Sequence, residues 1–151
     1  MKPRIYIDTS VVGGCFDKEF EFDSLRFFEM HEHDYFKILV SPILLKEMEF
    51  APQKVKEKLA KISNDKIEYL EINNDALFLR DQYLKNGILT KKWIDDATHV
   101  ALATIYRADA IVSWNFKHIV RLDKIKMFNQ VNLINGYGII TIISPKEVYY
   151  E

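Results

Sequence analysis

The sequence predicts an α/β fold: a mostly parallel central sheet with helices on both faces. Three observations predict it. Strand-like runs alternate with helical stretches along all 151 residues. The first run, Arg4-Ile5-Tyr6-Ile7, is β-branched and aromatic, as a buried central strand should be. Ser-Pro occurs where strand gives way to helix, at Ser41-Pro42 and Ser144-Pro145, an N-cap followed by the fixed φ suited to a first helical position. No linker, repeat or low-complexity segment breaks the alternation. Residues 1–151 are therefore expected to form a single domain.

The elements follow in order. After Asp8, Gly13-Gly14 suggests a tight, close-packed turn. Asp23 or Ser24 is a plausible cap for a helix burying Leu25, Phe28 and Met30. Phe36 to Val40 reads as the second strand, and the helix after Ser41-Pro42 carries Ile43, Leu44, Glu47, Met48 and Phe50 before Pro52 closes it. Lys54 to Ile62 is a helix with an apolar stripe, and Ile67 to Ile72 a strand alternating apolar and acidic. Asn73 or Asn74 caps a helix that Asn86-Gly87 ends. Ile88 to Trp93 is a loop into an Ala-rich helix, Asp95 to Tyr106, with Asp95 as its cap. Ala110 to Ser113 is the fourth strand, ending in Trp114-Asn115. A helical or irregular stretch then leads to a last strand, Gly138 to Ile143.

Composition narrows the function classes. Apolar residues make up 48% and charged residues 28%, an ordinary globular balance. A formal net charge of −1 supplies no bulk basicity, so any nucleic-acid binding must use a local patch that no Lys/Arg block announces. The single cysteine, Cys15, fits a reducing compartment and a small buried residue. No apolar run approaches the roughly 20 residues that cross a bilayer, and the N-terminus lacks a signal-peptide pattern. A cytoplasmic protein with no membrane partner is expected.

The informative residues are acidic. Asp8 ends the first strand, Glu47 lies on the helix after the second, Asp95-Asp96 open the Ala-rich helix, and Ser113-Trp114-Asn115 end the fourth strand. Ligands of open α/β sheets bind beyond the carboxyl ends of the strands, where these residues would gather. Carboxylates converging there would repel and have raised pKa values. A divalent cation removes that cost, and all-oxygen ligation without cysteine selects Mg²⁺ or Mn²⁺. Such sites suit phosphodiester cleavage by in-line displacement. Taken alone, Asp8 could equally cap a helical turn starting at Thr9.

In order and spacing, Ile7-Asp8-Thr9-Ser10, Ser41 with Glu47, Asp96-Ala97 with His99-Val100-Ala101-Leu102-Ala103, and Ser113-Trp114-Asn115-Phe116-Lys117-His118-Ile119 resemble the PIN-domain ribonucleases. The likeness is to the VapC-like toxins of bacterial toxin–antitoxin systems, and covers nearly the whole chain. It implies a flavodoxin-like three-layer α/β/α sandwich, a Mg²⁺ or Mn²⁺ cofactor, endonucleolytic cleavage of single-stranded RNA, an antitoxin partner and a homodimer. Carried over by position, Asp8, Glu47 and Asp96 are the metal carboxylates, and Asn115 is a fourth catalytic residue beside the Ser113 hydroxyl. Asn115 stands where many members have an acidic residue or Asn, and His118 where many have Asp.

Other roles are open on the sequence. His99, one turn from Asp96, reads better as a satisfied interior histidine, and Trp114 and Phe116 as packing rather than base stacking. Thr9 and Ser10 are candidates for holding a phosphate, and Lys91, Lys92 and Lys117 flank the crevice. Two alternatives compete with the ribonuclease. One is a catalytically weak PIN-like module that binds RNA or protein, motivated by the neutral Asn115 and by His118. The other is a hydrolase using Asp8 as a nucleophile. It would want an acid/base Asp at position 10, which is Ser.

Overall fold

A computed structural model describes residues 1–149; Tyr150 and Glu151 lie outside the described residues. The elements are β1 (Arg4–Ile7), α1 (Thr9–Gly14), α2 (Glu21–Glu32), β2 (Lys37–Val40), α3 (Pro42–Met48), α4 (Gln53–Ala60), β3 (Ile67–Tyr69), α5 (Asn74–Lys85), α6 (Ile94–Ile105), β4 (Ala110–Val112), α7 (Leu122–Ile134) and β5 (Ile142–Ile143). Short 3-10 turns lie at Asn64–Lys66, Lys91–Trp93 and Pro145–Glu147.

The strands pair in the order β3-β2-β1-β4-β5, all parallel. The period of two along each strand divides two cores. Tyr6, Leu39, Ile111 and Ile142 pack with residues of α5, α6 and α7. Ile5, Ile7, Ile38, Val40 and Val112 pack with residues of α1 to α4. The result is the expected three-layer α/β/α sandwich. Ala97, Ala101 and Ala103 are fully buried, so α6 lies close to the sheet. The chain order reverses beside β1, with β2 and β3 on one side and β4 and β5 on the other. That reversal marks the crevice where such sheets bind ligands.

Three local devices take the form the sequence predicts. Ser41 accepts from the Leu44 N–H at 3.2 Å and caps α3. Asn73 accepts from the Ala76 N–H at 2.9 Å and caps α5. Ser144 and Glu147 form a reciprocal capping box at the last turn.

Other expectations are corrected. Gly13 and Gly14 lie inside α1 rather than in a turn, although Gly14 is closely packed: an added Cβ would stand 2.5 Å from Ser24 Oγ and 2.7 Å from Trp114 Nε1. Helix α2 starts at Glu21, because Ser24 Oγ accepts from Trp114 Nε1 at 2.8 Å instead of capping. Its buried face is Ser24, Phe27, Phe28 and His31; Leu25 is exposed and Met30 half-buried. Phe50 lies beyond α3 and is exposed, and Pro52 is the N-cap of α4. Asp95 does not cap α6; Trp93 holds the N-cap position, without a side-chain bond. β3 stops at Tyr69 at the sheet edge. β5 keeps only two residues, because Asn129 of α7 takes the Ile140 backbone, accepting from its N–H at 2.8 Å and donating to its carbonyl at 3.2 Å.

Candidate active site

The register of β1 against β4 pairs Ile7 with Val112, so the next residues, Asp8 and Ser113, meet at the carboxyl ends. Both are buried. Ser10 Oγ donates to Asp8 Oδ1 and Ser113 Oγ to Asp8 Oδ2, each at 2.5 Å. Each hydroxyl is itself oriented by a backbone donor at 2.9 Å, Trp114 N–H onto Ser10 and Asn115 N–H onto Ser113. Two N–H groups of the loop after β4 are thus relayed to one carboxylate. Asp8 does hold the N-cap position of α1, but its side chain makes no capping bond there and is turned to Ser10 and Ser113 instead. Burial pushes the Asp8 carboxyl above its ordinary pKa. His99 and the two hydroxyls hold it partway down, and Glu47 adds to the rise.

Helix α6 precedes β4 and runs antiparallel to it, which delivers its first turn to the same edge. Asp96 sits there, half-buried. Its pKa is raised by burial, opposed by His99, the Asn115 amide and His118, and raised further by Asp8. Asp8 and Asp96 therefore interact as like charges. Glu47 behaves differently. Its side chain is 42% exposed and its Oε1 lies 3.4 Å from His99 Nε2. This contact holds the Glu47 carboxyl below its usual range, with a smaller contribution from Thr9, so the rise expected for every carboxylate is corrected here.

His99 is the residue that sequence reasoning undervalued. It is buried, as expected, but it joins the site to the core: Nδ1 meets the Tyr6 hydroxyl at 2.6 Å and Nε2 meets Glu47. An ionised Glu47 only accepts, which assigns a proton to Nε2. In the sequence Tyr6 reads only as part of the buried strand. The available signals were spacing, His99 one turn after Asp96 and Tyr6 two residues before Asp8 on one strand face.

Asn115 Oδ1 accepts from the His118 N–H at 2.9 Å, so it organises its own loop while its amide faces Asp96. Trp114 is a packing residue, stacked on Phe20 at 4.2 Å and bonded to Ser24. Phe116 is exposed beside it. Cys15 is buried, and burial raises its thiol to about 11, which leaves it unreactive.

Among the described residues no three His, Cys, Asp or Glu side chains are grouped closely enough to hold a metal ion. The donor chemistry nevertheless fits a hard divalent cation. Asp8 and Asp96 supply carboxylate oxygens whose charged form burial disfavours, a cost that a bound cation removes.

No protein-family model matches the sequence, and no curated protein is similar to it. Solved structures are. VapBC2 from Rickettsia felis, bound to a DNA fragment from its promoter, superposes with a TM-score of 0.60 at 15% identity, over 93% of this chain and 98% of that one. FitAcB from Neisseria gonorrhoeae gives 0.60 at 13%, over 95% and 99%. FitAB bound to the IR36 DNA fragment gives 0.60 at 13%, over 97% and 99%. At these identities the likeness is one of fold. The chain has the PIN-domain fold, as the sequence resemblance implied.

Proposed function

We propose that this chain is a Mg²⁺- or Mn²⁺-dependent endoribonuclease that cuts single-stranded RNA, and that it serves as the toxin of a toxin–antitoxin pair. The observation that carries the reading is the position of Asp8. It is a buried carboxylate at the carboxyl end of the central strand, beside the reversal of strand order, coupled to Asp96 across the crevice. A buried carboxylate costs stability, and a phosphoryl-transfer site is where such a cost is put to use. The structural neighbours, toxin–antitoxin complexes of the same fold, support the same direction.

Asp8 and Asp96 would hold the cation, and Glu47, paired with His99 in this structure, would join as the third carboxylate only by moving toward it. When bound, the cation would supply an activated water and charge stabilisation for the phosphoryl group. The chain's own residues do the rest. Ser10 and Ser113 fix both oxygens of Asp8, so it cannot turn away to a competing donor. His99 orients Glu47 and ties it to Tyr6 in the core. Asn115 fixes the loop and sets its amide toward Asp96.

A homodimer, an antitoxin partner and a cytoplasmic location complete the proposal. Among the described residues no helix is long and apolar enough to cross a membrane. A second reading, a catalytically weak PIN-like module that binds RNA or protein, draws on the lack of a three-residue ligand group among the described residues. The two readings separate in one assay. Purified chain free of antitoxin is incubated with single-stranded RNA in Mn²⁺, Mg²⁺ or EDTA. Cleavage in either metal, absent in EDTA and in Asp8→Asn, supports the enzyme; intact RNA in both metals overturns it.

A further inference from the structure

Trp93 has no role in the site described so far. It stands at the N-cap position of α6, half-buried, three residues before Asp96. Its indole lies 4.3 Å from the His118 imidazole, centroid to centroid, with the planes tilted by 33°. Two ammonium groups lie over the same indole, Lys92 Nζ at 5.0 Å and Lys117 Nζ at 5.1 Å. Thus the turn before α6 and the loop after β4 converge on one ring. Neither lysine pairs with a carboxylate among the described residues. His118 feels the Asp96 carboxylate and, against it, the charges of Lys117, Lys124 and Arg121, the last of which is paired with Asp123. The fold therefore assembles, from scattered residues, the local basic patch that a chain of net charge −1 lacks in sequence. His118 Nε2 itself is buried and without a hydrogen-bond partner, so the imidazole contributes its ring face and not that nitrogen.

An aromatic pair is usually packing, and unpaired lysines are usually solvated. Their combination beside an acidic centre is harder to explain as structure. A polyanion approaching Asp8 and Asp96 is repelled unless cations stand next to them, and an indole covered by two mobile ammonium groups suits a nucleotide, whose base would take the ring face that the ammonium groups now cover and whose phosphate would bind them as they swing aside. We infer that Trp93, His118, Lys92 and Lys117 form a bay that seats one nucleotide of single-stranded RNA beside the phosphodiester presented to Asp8 and Asp96. This rests on the ribonuclease reading above and adds the residues that position its substrate. Stacking tolerates any base, so the bay fixes register along the strand rather than sequence.

Fluorescence can read the bay directly. The chain has two tryptophans, and Trp114 is buried with its Nε1 bonded to Ser24, so a stacking base reaches only Trp93. The full-length Asp8→Asn chain, unable to cut, is titrated with a mixed-sequence RNA 12-mer, following tryptophan emission and, separately, anisotropy of labelled RNA. Binding should quench the emission. In Trp93→Phe, which keeps a ring against the core, the quench should vanish while affinity stays within about threefold. In Trp93→Ala affinity should fall about 5- to 150-fold, the loss expected for one stacked base. Lys92→Ala with Lys117→Ala should flatten the salt dependence by about 1.4, at roughly 0.7 per phosphate contact on a single strand. A quench that persists in Trp93→Phe, or wild-type affinity in a folded Trp93→Ala, overturns the bay. Cleavage in Mn²⁺ with unchanged KM in Trp93→Ala overturns it too and leaves the ribonuclease intact. RNA neither bound nor cut by the parent chain overturns both.

Discussion

At the scale of single residues, the site is one buried charge and the groups that tolerate it. Asp8→Asn keeps shape and removes the charge. Cleavage should fall at least about 100-fold, since a cation worth several kcal/mol of charge stabilisation loses a ligand. Metal-free stability should not fall. One charge-assisted bond from Ser10 or Ser113 is lost, but the cost of a buried carboxylate goes with it. The sign can be checked with pH. Asp8 takes up a proton more readily folded than unfolded, so acid favours the parent fold relative to the variant. The melting-temperature advantage of Asp8→Asn without metal should therefore shrink as pH falls from 7 toward the ordinary carboxylate range; a constant gap would place the cause elsewhere. Asn115→Asp tests the neighbouring position. An Asp keeps the acceptor that the His118 N–H needs and adds a charge beside Asp96. Thermal melts should show lower stability without Mn²⁺ and a larger Mn²⁺-induced rise than the parent; unchanged melts would place Asn115 outside the metal's reach. Asp8, Asp96 and Asn115 were legible as candidates because each stands at the end of a readable element. The lowered Glu47 was not, because its partner His99 lies 52 residues away and no local pattern records the pair.

Elements were legible wherever a local device defined them. Ser41-Pro42, Asn73 and Ser144-Pro145 each act within three residues of themselves, and each caps as read. The failures were set by distant contacts. Ser24 was drawn from capping α2 by Trp114, 90 residues away, and β5 was shortened by Asn129. The two glycines of α1 give a paired test. Gly14→Ala drives a Cβ against Ser24 and Trp114 and should cost about 1–3 kcal/mol, as overpacking does. Gly13→Ala meets nothing within 4 Å and sits inside a helix, so it should gain about 0.5–1 kcal/mol. Urea melts of the two variants should move in opposite directions; equal shifts would show that the Gly14 contact is not tight.

Over the whole molecule, alternation of strand and helix was enough to predict the layers, because in a parallel sheet each crossover needs its own helix. Which strands neighbour one another was not legible, since β1 and β4 pair across most of the chain. The basic patch was hidden for the same reason: Lys92 and Lys117 meet only over the Trp93 ring. The resemblance to VapC-like toxins leads to one prediction at this scale. Light scattering at micromolar concentration should give the mass of a dimer, and a strictly monomeric mass would refute the homodimer.

The clasp on Asp8 also has a consequence in time. Asp8 follows directly on the first strand, while Ser113, which holds one of its oxygens, is synthesised 105 residues later. At about 5–20 residues per second a ribosome needs roughly 5–20 s to cover that interval. Throughout it the growing polypeptide carries its key carboxylate with neither Ser113 nor the two relaying N–H groups in existence. If the chain is a nuclease of RNA, its own message is translated past the last residues of the clasp before the clasp can close. An interrupted synthesis that stops short of β4 releases a fragment with no completed centre.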